Sequence, residues 1–212
     1  MRTTEQGPVN AAGNEARARA STYAFLADVF SSHPNRHTVD ALYALAAELD
    51  VACPSGLSVA ELDREFMELL VVPNPRYVAP YESVFRDQWL LPAVPKPGSD
   101  PSESGPTIKG LVMGESTLAV RQCYLGAGVL PAEDLPDHIA NEIRFLACLC
   151  SREAEAPPDQ RQALLELRAD FCRQHLLQWI AQLRDKVAER ERLGYYSAAV
   201  RVVETLLDGD AN

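Results

Sequence analysis

Apolar positions along this chain recur with a helical period. Tyr23, Leu26, Ala27 and Phe30 are spaced three and four apart, and Pro34 closes that segment. A second helix is predicted after Thr38, which can cap it, with Val39, Leu42, Tyr43, Ala46 and Leu49 on one side. A third carries its own start signal. Ser58 and Glu61 are spaced as a capping box, with Leu57 and Leu62 at the staple positions around it. Its apolar stripe runs through Val59, Phe66, Leu69 and Leu70 until Pro73 and Pro75 stop it.

The same period returns in the second half. One helix is predicted from Glu115 to about Leu125, where Gly126 and Gly128 suit a C-terminus. Another begins after Pro136, with Ile139, Ile143, Leu146 and Cys150 on one face. Pro157, Pro158 and Asp159 introduce one long helix carrying Leu164, Leu167, Phe171, Leu176, Trp179, Ile180, Leu183 and Val187. The last helix aligns Tyr196, Val200, Val203 and Leu207. No stretch shows strand alternation. Residues 92–110 hold five prolines and three glycines without an apolar period, which predicts a long exposed loop. Residues 1–13 are small and polar and are expected to form a disordered tail. The fold class expected for 14–212 is therefore all-α: a single-domain antiparallel helical bundle of about seven to eight helices.

Composition narrows the function. Twenty basic residues stand against 30 acidic ones, a net charge of −10. Such a surface repels phosphate backbones and argues against nucleic-acid binding, while attracting a cationic partner. The longest apolar run, Phe145 to Cys150, is too short to cross a bilayer. No apolar stretch follows Arg2, so a secretory signal is not expected and the expected compartment is the cytoplasm. The five cysteines include no C-x-x-C pair. Cys148 and Cys150 on one helix would point their thiols about 200° apart, so reduced thiols are expected rather than a zinc site. His33 and His37 are four apart, but Pro34 lies between them.

Phosphate-cradling loops, dinucleotide fingerprints and nucleophile elbows are absent from the sequence. Two constellations remain. In the first, Asp137 is expected in the first turn of a helix, and His138 and Glu142 are i,i+4 neighbours. A carboxylate beside an imidazole would hold its tautomer and raise its pKa. The second follows the third helix: Phe66, Leu69 and Leu70, then Pro80 and Tyr81 in a loop, a rigid apolar wall suited to a peptide groove. Both also have plain structural readings, as a capped helix start and as a roof over the core.

These segments together resemble the TorD/DmsD/NarJ family of redox-enzyme maturation chaperones. The resemblance rests on YAFLADVF (23–30), EFMELLVVP (65–73), APYESVF (79–85), MGESTLAVRQCYLGAG (113–128), PDHIANEIRFLACL (136–149), FCRQHLLQWIAQL (171–183) and YYSAAVRVVETLL (195–207). It implies an all-helical, non-enzymatic chaperone that binds the twin-arginine signal peptide or N-terminal region of an immature molybdoenzyme catalytic subunit until its cofactor is inserted. It further implies a monomer or a helix-exchanged dimer, with no resident cofactor. A guanine nucleotide has been linked to some members, but no motif here supports one. Family binding positions fall on Asp137, His138, Leu69, Leu70, Pro80, Tyr81 and, more loosely, Phe66; Glu142 completes the expected acidic edge. An apolar trough rimmed by Asp137 and Glu142 is thus expected between residues 66–85 and 137–142. Two other classes stay open at this point: a small hydrolytic or nucleotide-handling enzyme using His138 and Glu142, and a generic helical adaptor.

Overall fold

The computed structural model describes residues 8–91, 106–130 and 135–211, with side chains from residue 11 onward. Among these residues it contains nine α-helices and one two-stranded ribbon. Helix α1 spans Pro8–Ser31, so the helix begins inside the segment expected to be a disordered tail. The expected stripe is buried: Tyr23, Leu26, Ala27 and Phe30 all face the core, joined by Ala16 and Ala20. These small residues let α1 lie along α6 (Ile139–Glu155), which presents Ala140 and Ala147. A Cβ at Gly13 would come within 3.3 Å of the Ala154 carbonyl oxygen on α6.

Helix α2 spans Arg36–Glu48. Its cap is Asn35, not Thr38. Asn35 accepts the Thr38 N–H at 3.1 Å, and the Asn35 N–H donates to the Thr38 hydroxyl at 3.0 Å. Helix α3, Val59–Phe66, starts on the predicted Ser58–Glu61 box, with the Ser58 N–H donating to Glu61 at 2.9 Å. The chain then widens into a π-helical turn, Met67–Val71. The extra residue per turn lets consecutive Leu69 and Leu70 both turn inward.

A short helix α4, Glu82–Arg86, leads into β1, Gln88–Leu90. Strand β1 pairs antiparallel with β2, Thr107–Lys109, through Trp89 opposite Ile108. Part of the expected loop is therefore a strand. Residues 92–105 of that loop, like residues 1–7 of the expected tail, lie outside the described residues. Helix α5 follows at Glu115–Gly126, then α6.

The predicted long helix is two helices: α7, Pro158–Gln174, and α8, Leu176–Arg190. The break is His175, whose backbone leaves the helical region at φ −117° and ψ −91°. Helix α9, Tyr195–Asp210, closes the bundle. Trp179, Tyr23, Tyr195, Tyr196 and Phe171 fill the centre. Arg168 of α7 is buried among Glu153 of α6 and Asp210 of α9, and Asp210 also accepts the Tyr23 hydroxyl at 2.7 Å. That cluster ties four helices together. Among the described residues no helix is long and apolar enough to cross a membrane.

Candidate functional site

The two expected constellations do meet. Residues 80–82 run antiparallel beside 137–139. Ile139 N–H donates to the Pro80 carbonyl at 2.9 Å, and Glu82 N–H donates to the Asp137 carbonyl at 2.9 Å. Tyr81 and His138 form an isolated bridge, with ring centroids 5.0 Å apart.

The junction they form is closed. Phe66, Leu69, Leu70, Pro80, Asp137 and Glu142 are buried, and only Tyr81 and His138 are partly exposed. The expected trough is filled by the protein's own side chains. Phe66 packs against His33 and Tyr196. Asp137 precedes the helix instead of lying in its first turn, because His138 is the N-cap, its Nδ1 accepting the Ala140 N–H at 3.1 Å. The Asp137 carboxylate turns inward and accepts the Ser83 N–H at 3.0 Å. That bond caps α4, whose own N-cap, Tyr81, makes no side-chain hydrogen bond to the helix. Glu142 faces away from solvent toward the Trp179 indole N–H, 3.5 Å away. Neither carboxylate rims a surface groove.

What lies beneath is a buried acidic cluster. Glu82, Asp137 and Glu142 are all fully buried. Burial, then the charges of Glu82 and Asp137, push the Glu142 carboxyl well above its ordinary range. The Glu142 carboxyl therefore keeps its proton to higher pH than an ordinary carboxyl does. Glu82 keeps two cationic partners: Arg86, one turn on, and His175, whose Nδ1 lies 3.0 Å from its Oε2. Burial pulls the His175 imidazole down, but hydrogen bonds to Cys123 and Glu82 outweigh it and raise it to about 9. His175 is thus charged at neutral pH. The break between α7 and α8 is what turns its ring inward to Glu82. No periodicity signals such a break, so the long helix predicted from sequence hid His175 in an apolar stripe.

Beside this cluster the surface opens. A cleft of about 860 Å³ lies between α4, α5 and the α7–α8 junction. Arg86, Asp87, Glu115, Cys123, Arg173 and His175 contribute to its wall. A smaller hollow of about 350 Å³ shares Arg86, Asp87 and Glu115 and reaches Trp89 on the ribbon. Asp87 joins ribbon to helix. Its carboxylate accepts the Ser116 N–H at 3.0 Å and the Ser116 hydroxyl at 2.6 Å. It substitutes for the cap that Gly114 cannot supply to α5.

Around the ribbon, large apolar side chains stay in solvent. They are Trp89, Leu90 and Leu91, then Leu111, Val112 and Met113, with Leu118 on α5. Leu90 is 63% and Met113 66% exposed, where a lone surface leucine would call for no explanation but a run of them does. The sequence carried the signal only faintly, as apolar residues flanking a proline-rich segment.

A helical bundle with an inward-turned acidic cluster and a projecting apolar ribbon defines a binding protein better than a catalyst. The chain belongs to the nitrate reductase delta subunit family, whose model matches residues 36–185. It is also similar to the chaperone protein TorD of Vibrio cholerae serotype O1. The protein from the Ogawa strain is 27% identical over 179 residues, covering 82% of this chain and 69% of that one. The El Tor Inaba protein is 26% identical over the same extent.

Proposed function

We propose that this protein is a cytoplasmic molybdoenzyme chaperone and not an enzyme. It binds the twin-arginine signal peptide or N-terminal region of an immature catalytic subunit and assists cofactor insertion before export or assembly. Family membership and the TorD relatives support the chaperone role. The observation that carries the peptide role is the apolar edge Trp89–Leu91 and Leu111–Met113, standing exposed beside the cleft.

A twin-arginine leader pairs a cationic head with an apolar tail. Burying a large apolar side chain contributes roughly 1.5–3 kcal/mol before ordering costs. An exposed Arg–carboxylate pair contributes about 0–1 kcal/mol. The apolar edge therefore sets most of the affinity. Glu115 at the cleft, within a net charge of −10, guides the cationic head and raises the association rate.

Fluorescence titration with three synthetic peptides tests this. One carries paired arginines and an apolar segment, one has lysines for the arginines, and one has serines in the apolar segment. The serine peptide is expected to lose at least tenfold in affinity and the lysine peptide less. Equal binding of all three would leave a generic adaptor as the better description.

A further inference from the structure

Cys123 is unlike the other cysteines. Cys150 and Cys172 are buried, and burial pushes their thiols up to about 11 and about 12. Cys53 is likewise pushed up to about 11 by burial. Cys123, half-buried like Cys53 and Cys148, is the one that stands on the wall of the cleft, with its Sγ 3.4 Å from His175 Nε2. The opposite ring nitrogen, Nδ1, lies 3.0 Å and 3.2 Å from the two oxygens of Glu82. Thiol, imidazole and carboxylate are thus in line, the order that activates a sulfur nucleophile. Two structural features hold the line. Glu82 is fixed by the Asp137 carbonyl and by Arg86, and His175 by the break between α7 and α8.

The geometry points to Cys123 as a thiol–disulfide exchange site for a small, carboxylate-bearing disulfide held in the cleft. The cleft has the volume of a small-molecule site. Its wall sets two guanidinium groups, Arg86 and Arg173, beside the carboxylates of Asp87 and Glu115, with the amides of Gln122, Gln174 and Gln178, a lining that suits a peptide disulfide bearing both carboxylate and ammonium groups. In the exchange, the Cys123 sulfur attacks one sulfur of the disulfide. A new S–S bond forms, the old one breaks, and the departing sulfur leaves with the electron pair. Cys123 is oxidised to the mixed disulfide and the departing half is reduced to a thiol. His175, already protonated and balanced by Glu82, stands beside the attacking thiolate of Cys123 and gives its Nε2 proton to the departing thiolate. Acyl transfer is a poorer match. Cys123 lies well inside α5, where the backbone N–H groups are already bonded within the helix and cannot hold an oxyanion.

The site goes beyond client binding and stands whether or not a leader peptide docks on the ribbon. Its test uses the intact, reduced protein and three disulfides: anionic glutathione disulfide, neutral hydroxyethyl disulfide and cationic cystamine. Adducts are located by peptide mass spectrometry over time. Cys123 is expected to react at least tenfold faster than Cys53 and Cys148, the other two half-exposed thiols, with glutathione disulfide, which carries both charges, fastest. His175→Gln is expected to remove the preference for Cys123 while circular dichroism stays unchanged. Arg173→Ala is expected to narrow the gap between anionic and cationic probes. Adducts spread evenly over Cys53, Cys123 and Cys148 would overturn the proposal. So would a rate order that ignores probe charge, a result obtained on the unmodified protein and independent of any variant's folding.

Discussion

Asp137 and Ser83 are 54 positions apart in sequence, and the carboxylate of one accepts the backbone N–H of the other at 3.0 Å in the buried interior. That single bond caps α4, sets the approach to Glu82, and accounts for an aspartate at the start of α6. Asp137→Ala leaves the Ser83 N–H buried without an acceptor. The expected loss is about 1–3 kcal/mol, measured as a shift in urea-unfolding midpoint. Asp137→Asn keeps an acceptor oxygen and is expected to lose less. Equal stability of the alanine variant and the parent would show that water takes over the cap.

Glu142 makes stability depend on pH in a defined direction. Unfolded, its carboxyl loses the proton near 4.5; folded, burial and the neighbouring carboxylates hold the proton to much higher pH. Between those limits the folded chain binds one more proton, so stability falls as pH rises. Glu142→Gln cannot ionise. It is expected to match the parent near pH 4.5 and to exceed it at pH 8. Unfolding curves whose pH dependences run parallel would contradict a raised Glu142 carboxyl.

His175 has a separate window. Its folded value of about 9 lies above the unfolded 6.5. The stability it contributes with Glu82 is therefore complete below about 6.5 and fades as pH rises through about 9. The gap in stability between the parent and His175→Gln is expected to narrow across that range. Nuclear magnetic resonance titration of the His175 ring offers the direct check; a midpoint near 6.5 would remove the charged pair.

Leu69 and Leu90 separate packing from binding. Leu69 is fully buried in the π-helical turn, and Leu90 is mostly exposed on the ribbon. Leu69→Ala is expected to cost about 2–5 kcal/mol of stability. Leu90→Ser is expected to leave the melting temperature within a degree or two and to weaken leader-peptide binding several-fold. Calorimetric melting paired with peptide titration reads both, and a reversed pattern would move the peptide surface back to the π turn.

Gly114 is required by a close approach. A Cβ there would fall 1.8 Å from Asp87 Oδ2. Gly114→Ala must displace Asp87 from Ser116, freeing the start of α5 from the ribbon. Amide hydrogen exchange is expected to speed up at 115–118 while the α1–α6 core keeps its protection. Unchanged exchange in that turn would mean Asp87 tolerates the methyl group.

Sequence periodicity was enough for the helices, because an amphipathic stripe needs only local spacing. The stripe of α1, the Ser58–Glu61 box, the start of α5 and the stripe of α9 all read directly from the chain. Family membership was legible for the same reason, through short blocks in a fixed order. A junction between residues 66–85 and 137–142 was also expected, and 80–82 beside 137–139 form it. Whether that meeting formed a groove or a core was not legible, since a leucine on a stripe looks the same under solvent or under another helix. Asp137 and Glu142 looked like a surface edge because charge in sequence implies water; tertiary packing turned both inward, where a backbone N–H and a raised carboxyl pKa make burial tolerable. The chain by itself determined which segments are helical and to which family they belong. Only the tertiary structure decided which polar groups face inward, because an ion pair such as Glu82–His175 depends on a helix break and a crossing that no local pattern encodes.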